Sequence, residues 1–241
     1  MYSGGKIKFL IAIAAVNFIL SGCASIDRQA FNRSANEHIK SVSITKPINP
    51  ENYSVNIIHH PASSFGLIGG LIAAAELSAK ASGVTDAIKA GGFDAGAALS
   101  EAIKADLEKD GRFSVSIIEV PTRKPHVFIE DYKTLEGASD AILDIYIGLI
   151  GYWANSHSSP YYPTLSVGAR MVDLRSKAII YNALFIYGPA NIIPAGATRI
   201  TPQPEFAKST YDALLAHPDE LTGGLKYAIS KVANGITLDL R

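Results

Sequence analysis

The chain has 241 residues, and its 22 basic side chains balance 22 acidic ones. A nucleic-acid-binding surface would be strongly basic, so this charge argues against nucleic acid as a partner. The single cysteine excludes a disulfide framework within the chain and a cysteine-rich zinc site. Stability therefore has to come from a packed core, for which the length is sufficient.

The N-terminal end has the three parts of a secretory signal peptide. Lys6 and Lys8 make the start basic, the run Phe9 to Leu20 is apolar apart from Asn17, and small residues precede Cys23. The run is shorter than the roughly 20 apolar residues that a membrane-spanning helix needs. The alternative is a cytosolic protein that buries an apolar N-terminal helix and uses Cys23 as an ordinary core residue.

The residues Leu20, Ser21, Gly22 and Cys23 resemble the bacterial lipobox at each of its four positions. The resemblance implies cleavage before Cys23, a diacylglyceryl group on its thiol and an acyl group on the new amino terminus. Two or more acyl chains anchor a protein stably, whereas one does so only marginally. Membrane lipid is therefore an expected partner, and the expected location is a membrane surface that faces the periplasm. Ala24 replaces the aspartate that commonly retains lipoproteins at the inner membrane, which favours the outer membrane if the source is Gram-negative.

This interpretation divides the chain into a signal peptide (1–22), a lipidated tether (23–37) and a periplasmic domain (38–241). Lys6 and Lys8 leave with the signal peptide, so the remaining 219 residues have 20 basic and 22 acidic side chains. No cofactor is expected besides the covalent lipid on Cys23.

The segment Phe65 to Ala75 is the most apolar part of the predicted mature chain. It is too short to span a bilayer alone, so a buried or interfacial helix is the first expectation. Small residues let a second backbone approach closely, which gives two interpretations: a tightly packed core helix, or an element that contacts the membrane or another subunit. The residues concerned are Phe65, Gly66, Gly69, Gly70 and Ala74.

Alternation and helical spacing predict most of the remaining elements. Short strands are expected around Val42 and Val55, a helix over Asp94–Asp110, and a strand over Phe113–Val120. Ala141–Ile150 is apolar on both faces apart from Asp144, as in a central strand covered on two sides. A hairpin with strands around 165–171 and 179–187, an extended loop over 188–204 and helices over 205–216 and 219–233 complete the chain.

The order of these elements predicts an α+β or α/β fold, a single domain with a mixed β-sheet and packed helices. The helix–glycine–strand unit of Leu99 to Val120, the strand at Ala141 and the hairpin around Asp173 are similar to the periplasmic α/β domains of assembly lipoproteins. The curli-secretion channel lipoprotein and the lipoprotein activators of peptidoglycan synthases are examples. The resemblance implies a role in an envelope assembly.

The sequence has no motif for hydrolase, nucleotide-binding or metalloprotease chemistry. No metal site is expected, since His59 and His60 are neighbours in a strand and point to opposite faces. A buried pair of Asp140 and Asp144 is one candidate for acid–base work. The alternative is that Asp140 caps the strand and Asp144 meets a backbone or arginine partner. The string Ser43 to Lys46 matches a short motif of penicillin-interacting enzymes, without the companion motifs.

The segment Gly151 to Pro163 gathers aromatic side chains between two predicted strands. Loops on a rigid scaffold often bind partners, and exposed Tyr and Trp are good contact anchors. The alternative is that the rings fold back over the sheet edge. The partner-binding candidates are Tyr152, Trp153, His157, Tyr161 and Tyr162.

The sequence favours a non-enzymatic lipoprotein that assists or scaffolds an envelope assembly or transport complex. Its partner would be an envelope protein or a second copy of the chain. One alternative is an oligomeric secretion or pore component in which Phe65–Ala75 contacts the membrane. Another is an envelope enzyme acting on peptidoglycan or lipid through Ser43, Asp144 or His157.

Overall fold

The computed structural model describes residues 27–135, 137, 139–189 and 194–241. The predicted signal peptide and the lipobox residues Leu20, Ser21, Gly22 and Cys23 lie outside the described residues. The strands are β1 (Ser41–Thr45), β2 (Ser54–His59), β3 (Ser114–Ile118), β4 (Ala141–Ser156), β5 (Tyr162–Asp173), β6 (Ile179–Tyr187) and β7 (Thr198–Ile200). The α-helices are α1 (Gly66–Ala90), α2 (Ala95–Lys109), α3 (Tyr211–Leu215) and α4 (Pro218–Asp239).

The seven strands form one mixed sheet in the order β3-β1-β4-β5-β6-β7, and β2 pairs with β4 as well. The β1–β3, β1–β4, β2–β4 and β6–β7 pairs are parallel, while β4, β5 and β6 form an antiparallel meander. The predicted fold class, a single α/β domain with a mixed sheet and packed helices, is confirmed.

Strand β4 pairs in parallel with two different strands along its length. Its first residues, from Ala141 to Asp144, pair with β1, and its last residues, from Gly151 to Ser156, pair with β2. We call the first region the proximal end of the sheet and the second the distal end. A Cβ atom at Gly151 would overlap the carbonyl oxygen of Ser54, so this glycine allows β2 to approach where its pairing begins.

Both faces of β4 are covered, as predicted. Leu143, Ile145 and Ile147 belong to the main core that the helices share with one face of the sheet. On the other face, the connection between β3 and β4 covers the proximal half: Phe128 packs edge-on against Tyr146 with ring centroids 4.7 Å apart. The long apolar run of β4 therefore reflects burial on two sides.

Asp144 is the polar centre of this second face. It is fully buried, and its Oδ1 lies 2.7 Å from Arg123 Nη1 and accepts a hydrogen bond from Thr45 Oγ1 at 2.8 Å. Its Oδ2 accepts from the backbone N–H of Ile129 at 2.7 Å and from the hydroxyl of Tyr132 at 2.9 Å. The interpretation that Asp144 meets a backbone or arginine partner is confirmed, and the connection is held to the sheet by this carboxylate.

Asp140 ties the starts of β1 and β4 together. Its Oδ2 accepts hydrogen bonds from the backbone N–H groups of Lys40 at 2.9 Å and Ser41 at 2.8 Å. These bonds hold the pKa of the Asp140 carboxyl below its ordinary value. Asp140 therefore caps its strand as predicted, and it does not form a carboxylate pair with Asp144.

The helices match the sequence prediction in part. Helix α2 begins where Asp94 accepts a hydrogen bond from Ala97 N at 2.8 Å, and Gly111 follows it with φ +63°. The second half of α1 packs on the core through Val84 and Ile88. The expectation that Phe65–Ala75 is a core helix is wrong, since the large side chains of this segment are exposed.

Three boundaries differ from the prediction. Residues 151–156 continue β4, so Gly151–Pro163 is not a loop but two strand ends joined by a short turn. The region 205–216 is helical only over a 3-10 turn, Pro204–Phe206, and α3, whereas the last helix continues to Asp239. Strand β7 lies inside the predicted 188–204 loop. The prolines on both sides of this short edge strand favour a loop prediction, and among the described strands it pairs only with the end of β6.

Residues 27–37, predicted as tether, lie against the domain. Gln29 forms an isolated antiparallel bridge with Asn182 of β6, and Arg28 pairs with Asp239 at 3.1 Å. Phe31 packs against the core. The described N-terminus is thus held at the proximal half of the sheet.

Replacing Asp144 with alanine leaves the Arg123 guanidinium buried without its counter-charge. We expect the free energy of unfolding to fall by about 3–5 kcal/mol, as for other broken buried ion pairs. Urea denaturation followed by circular dichroism measures this change. Glu130→Gln is the control, since Glu130 pairs with Lys124 on the surface and its loss should leave the midpoint unchanged. A loss below about 1 kcal/mol in Asp144→Ala would contradict the prediction.

The Asp140 carboxylate stabilises the fold only while it is ionised, because its pKa is depressed in the folded state. This stability is present above the unfolded pKa, near 3.8, and is lost as pH falls through the folded pKa. At pH 7 we expect Asp140→Asn to lower the unfolding free energy by about 1–2 kcal/mol. The difference from the unmodified protein should shrink as pH falls below 3.8. Urea titrations at several pH values measure it, and a difference independent of pH would show the mechanism to be wrong.

Candidate functional site

The first turns of α1 project an apolar surface with no partner in the described part of the chain. Five large side chains, between 58% and 83% exposed, form this surface, which we call the helix tip: Phe65, Leu67, Ile68, Leu71 and Ile72. Such residues are normally buried, and a contiguous exposed patch of them marks an interaction site. The helix tip is therefore the first candidate for a binding surface.

The chain folds this way because a 3-10 turn, Pro61–Phe65, follows β2 and is capped by His60. Ala62 N donates to His60 Nδ1 at 3.2 Å. Helix α1 then runs back along β2, and the hydroxyl of Thr85 accepts from Tyr53 N at 2.9 Å. The residues before Glu76 extend past the distal end of the sheet, so their outer side has nothing to pack on.

The small residues of this segment do not join α1 to another helix. Positions 66 and 70 face open space, and Ala74 is exposed. Gly69 is buried against its own 3-10 turn, where a Cβ would overlap the carbonyl oxygen of Ala62. Within the described part of the chain, Gly66, Gly70 and Ala74 therefore pack against no other helix, and Gly69 allows the 3-10 turn to lie close to α1.

Among the described residues, one segment, Pro61–Ala90, is long and apolar enough to cross a membrane when judged by length and composition alone. Its second half packs against the core and includes Lys80 and Asp86. The apolar part before Glu76 has 11 residues, which as a helix would measure about 16 Å, roughly half of a bilayer's hydrocarbon core.

Three potential metal ligands meet at the base of the helix tip. One ligand atom from each of His60, Glu76 and His157 lies within 4.8 Å of the other two. His60 follows β2, Glu76 is on α1, and His157 is on the turn between β4 and β5, so three separate segments converge. We call these residues the His60 cluster.

Electrostatics keep Glu76 ionised in this cluster. Lys80 Nζ lies 2.7 Å from Glu76 Oε1, and it is the main cause that lowers the pKa of Glu76; His60 lowers it further. The other carboxylate oxygen, Oε2, lies 3.2 Å from His60 Nε2. Lys80 also donates to the Tyr161 hydroxyl at 3.3 Å, which ties α1 to the start of β5.

The predicted aromatic binding loop is largely part of the fold. Tyr152 is fully buried, and its hydroxyl donates to the Leu221 carbonyl at 2.7 Å. Tyr161 is buried as well. Trp153 and Tyr162 are half-buried and paired across β4 and β5. The interpretation that the rings pack on the sheet holds for Tyr152 and Tyr161, which cannot serve as surface anchors.

Of the five aromatic-loop candidates, His157 alone is exposed, and it lies at the distal end beside the helix tip. The residues of the enzyme alternative are not brought together. Ser43 and Asp144 lie at the proximal end, where Ser43 Oγ is 2.9 Å from Ser116 Oγ, whereas His157 follows the far end of β4.

The His60 cluster has no local signal in the sequence, because its ligands are far apart in the chain. His60 and Glu76 are 16 residues apart, and His157 joins them through the β2–β4 pairing, in which His59 is opposite Ser156. A long-range parallel register of this kind has no local sequence signal. A charged residue at the end of the apolar run, Glu76, was the one available hint.

No protein-family model matches the sequence, and no curated protein matches it. Solved structures with a similar arrangement include a Xanthomonas campestris protein of the DUF330 family, with 10% identity and TM-score 0.43 over 87% of this chain and 88% of that one. A PelC dodecamer from Paraburkholderia phytofirmans has 10% identity and TM-score 0.38 over 89% and 95% of the two chains. The lipoprotein GNA1162 from Neisseria meningitidis has 16% identity and TM-score 0.23 over 64% and 87%. Similarity at this level carries no functional conclusion.

Proposed function

We propose that this chain is a lipid-anchored, non-enzymatic envelope protein that binds another protein through the helix tip, as an accessory or scaffold of an envelope complex. The observation that carries the proposal is an exposed apolar surface at the end of the sheet opposite to the N-terminus.

Hydrogen bonds fix the position of Asp27, where the described part of the chain begins. Asn182 Nδ2 donates to the Asp27 carbonyl at 2.6 Å, and Asn182 lies in the same sheet row as Arg170 and Asp144. The helix tip begins beyond the row of Ser156, twelve residues further along β4. At about 3.3 Å per residue, the two rows are roughly 40 Å apart.

A lipid on Cys23 would therefore hold the proximal half of the domain near the membrane. Cys23 and Asp27 are four positions apart, a distance of at most about 14 Å along a fully extended chain. If the strands stand upright on the membrane with the proximal end nearest to it, the helix tip points away from the anchoring leaflet. An apolar surface directed into the aqueous periplasm favours a protein partner over the anchoring bilayer.

A pore formed by α1 is disfavoured by the same geometry. A spanning helix would have to pull Val84 and Ile88 out of the core and place Lys80 in the hydrocarbon. Self-association through the helix tip, by contrast, needs no rearrangement and is one form of the proposed protein binding.

Lipid anchoring is tested by Cys23→Ala in the native host. We expect the substituted chain to lose membrane association, because the acyl chains are its anchor. Membrane fractionation and the intact mass of the purified protein measure this, with Cys23→Ser as a second variant. An intact mass without added acyl chains in the unmodified protein would show that Cys23 is not the anchor. Membrane retention of Cys23→Ala would show the same only where its mass proves that residues 1–22 have been removed.

The binding role is tested by the double variant Leu71→Ser/Ile72→Ser in the full chain. We expect it to lose the stoichiometric partner, or the oligomer, that the unmodified protein has after extraction in mild detergent. Its unfolding midpoint should stay the same, since both side chains are exposed. Light scattering coupled to size exclusion measures the particle mass.

Leu238→Ser is the matched control, because Leu238 is 56% exposed but lies at the proximal end of α4. The proposal is wrong if the double variant keeps its partner, or if the control loses it equally. The remaining case is binding of the helix tip to lipid, which is tested by vesicle flotation of an unlipidated chain that begins at Ala24. Vesicle binding that the double variant abolishes would assign the helix tip to lipid.

A further inference from the structure

The His60 cluster has a donor set that suits a transition metal. Two imidazole nitrogens and one carboxylate oxygen are ligands that Zn²⁺ accepts in proteins, with a fourth position open for water. One ligand atom from each residue lies within 4.8 Å of the others. We propose that His60, Glu76 and His157 form a Zn²⁺-type metal site that joins the start of α1 to the turn between β4 and β5.

The distances require only a small adjustment. Ligand atoms around a tetrahedral ion with bonds of about 2.0–2.1 Å are roughly 3.4 Å apart. His60 Nε2 and Glu76 Oε2 are already 3.2 Å apart. His157 is the remaining ligand, and it lies on an exposed turn outside β4 and β5, where a shift of about 1 Å is accommodated most easily.

The His60 cluster contains an anion, Glu76, and lies next to a cation, Lys80. This arrangement leaves one carboxylate oxygen of Glu76 available to a metal ion. Lys80 contacts Glu76 Oε1, while Oε2 faces His60. Hydrogen bonding to a ligand carboxylate is typical of metal sites and fixes its orientation. Lys80 is itself held by Tyr161, so this second contact keeps Glu76 in place.

Metal binding changes the tautomer of His60. In the metal-free geometry Nδ1 accepts from Ala62 N, so the neutral ring has its proton on Nε2, facing Glu76. With Zn²⁺ on Nε2 the ring proton sits on Nδ1, and the bond from Ala62 N is lost. That bond is long, at 3.2 Å, and caps only a short 3-10 turn, so the metal bonds outweigh it.

The measurement is calorimetric titration of ZnCl₂ into the full chain in detergent at pH 7.5, after removal of bound metal with a chelator and without a histidine tag. We expect one Zn²⁺ per chain and a rise of the melting temperature that excess chelator reverses. His157→Ala and Glu76→Gln should each weaken binding more than about tenfold, since loss of a ligand exceeds the effect of losing an outer partner.

His157→Ala is the decisive variant, because His157 is exposed and its loss should leave the metal-free melting temperature unchanged. His217→Ala is the matched control with an equally exposed histidine, and it should bind Zn²⁺ as the unmodified protein does. The proposal is overturned if the unmodified protein shows no saturable binding, or if His157→Ala binds with unchanged affinity. Because the titration needs no partner, its failure leaves the proposed function of the helix tip untouched.

Discussion

The fold depends on one long strand that exchanges its parallel neighbour halfway. The first residues of β4 pair with β1 and its last residues pair with β2, while β5 follows it on the other side almost throughout. The exchange works because Gly151 has no side chain where Ser54 arrives. It gives the sheet its length, and that length separates the N-terminus from the helix tip.

The cover on the second face of β4 supplies the partners that let a charged residue lie buried near the start of this strand. Asp144 would be costly in an apolar strand, but Arg123, Thr45 and Tyr132 complete its hydrogen bonds. The same carboxylate holds the β3–β4 connection over the sheet. In its first half the strand is thus apolar where it meets the helices and charged at Asp144, which holds the cover on the opposite face.

The local parts of this fold were predictable from the sequence, whereas its long-range contacts were not. The spacing of α2, the cap at Asp94 and the alternation of β6 depend on neighbours in the chain, and each prediction is confirmed. The predicted burial of the first turns of α1 is wrong. Apolar composition normally means burial, but these turns extend past the sheet and their large side chains are exposed. The sequence predicts a loop of 13 residues around His157, because Tyr152 and Trp153 look like surface aromatics, but β4 continues through both. The meeting of His60 with His157 follows from a parallel register that no local pattern encodes.

The bridge between the N-terminal segment and the end of α4 has a consequence for the order in which the chain folds. Arg28 reaches Asp239 across 211 positions of sequence, and Arg33 reaches the Arg241 carbonyl. These contacts cannot form until the last residues of the chain have been synthesised. Loop closure over such a separation is slow, so we expect the N-terminal segment to dock late. A chain truncated within α4 would leave that segment without these partners, so docking of one edge of the domain waits for the far end of the chain.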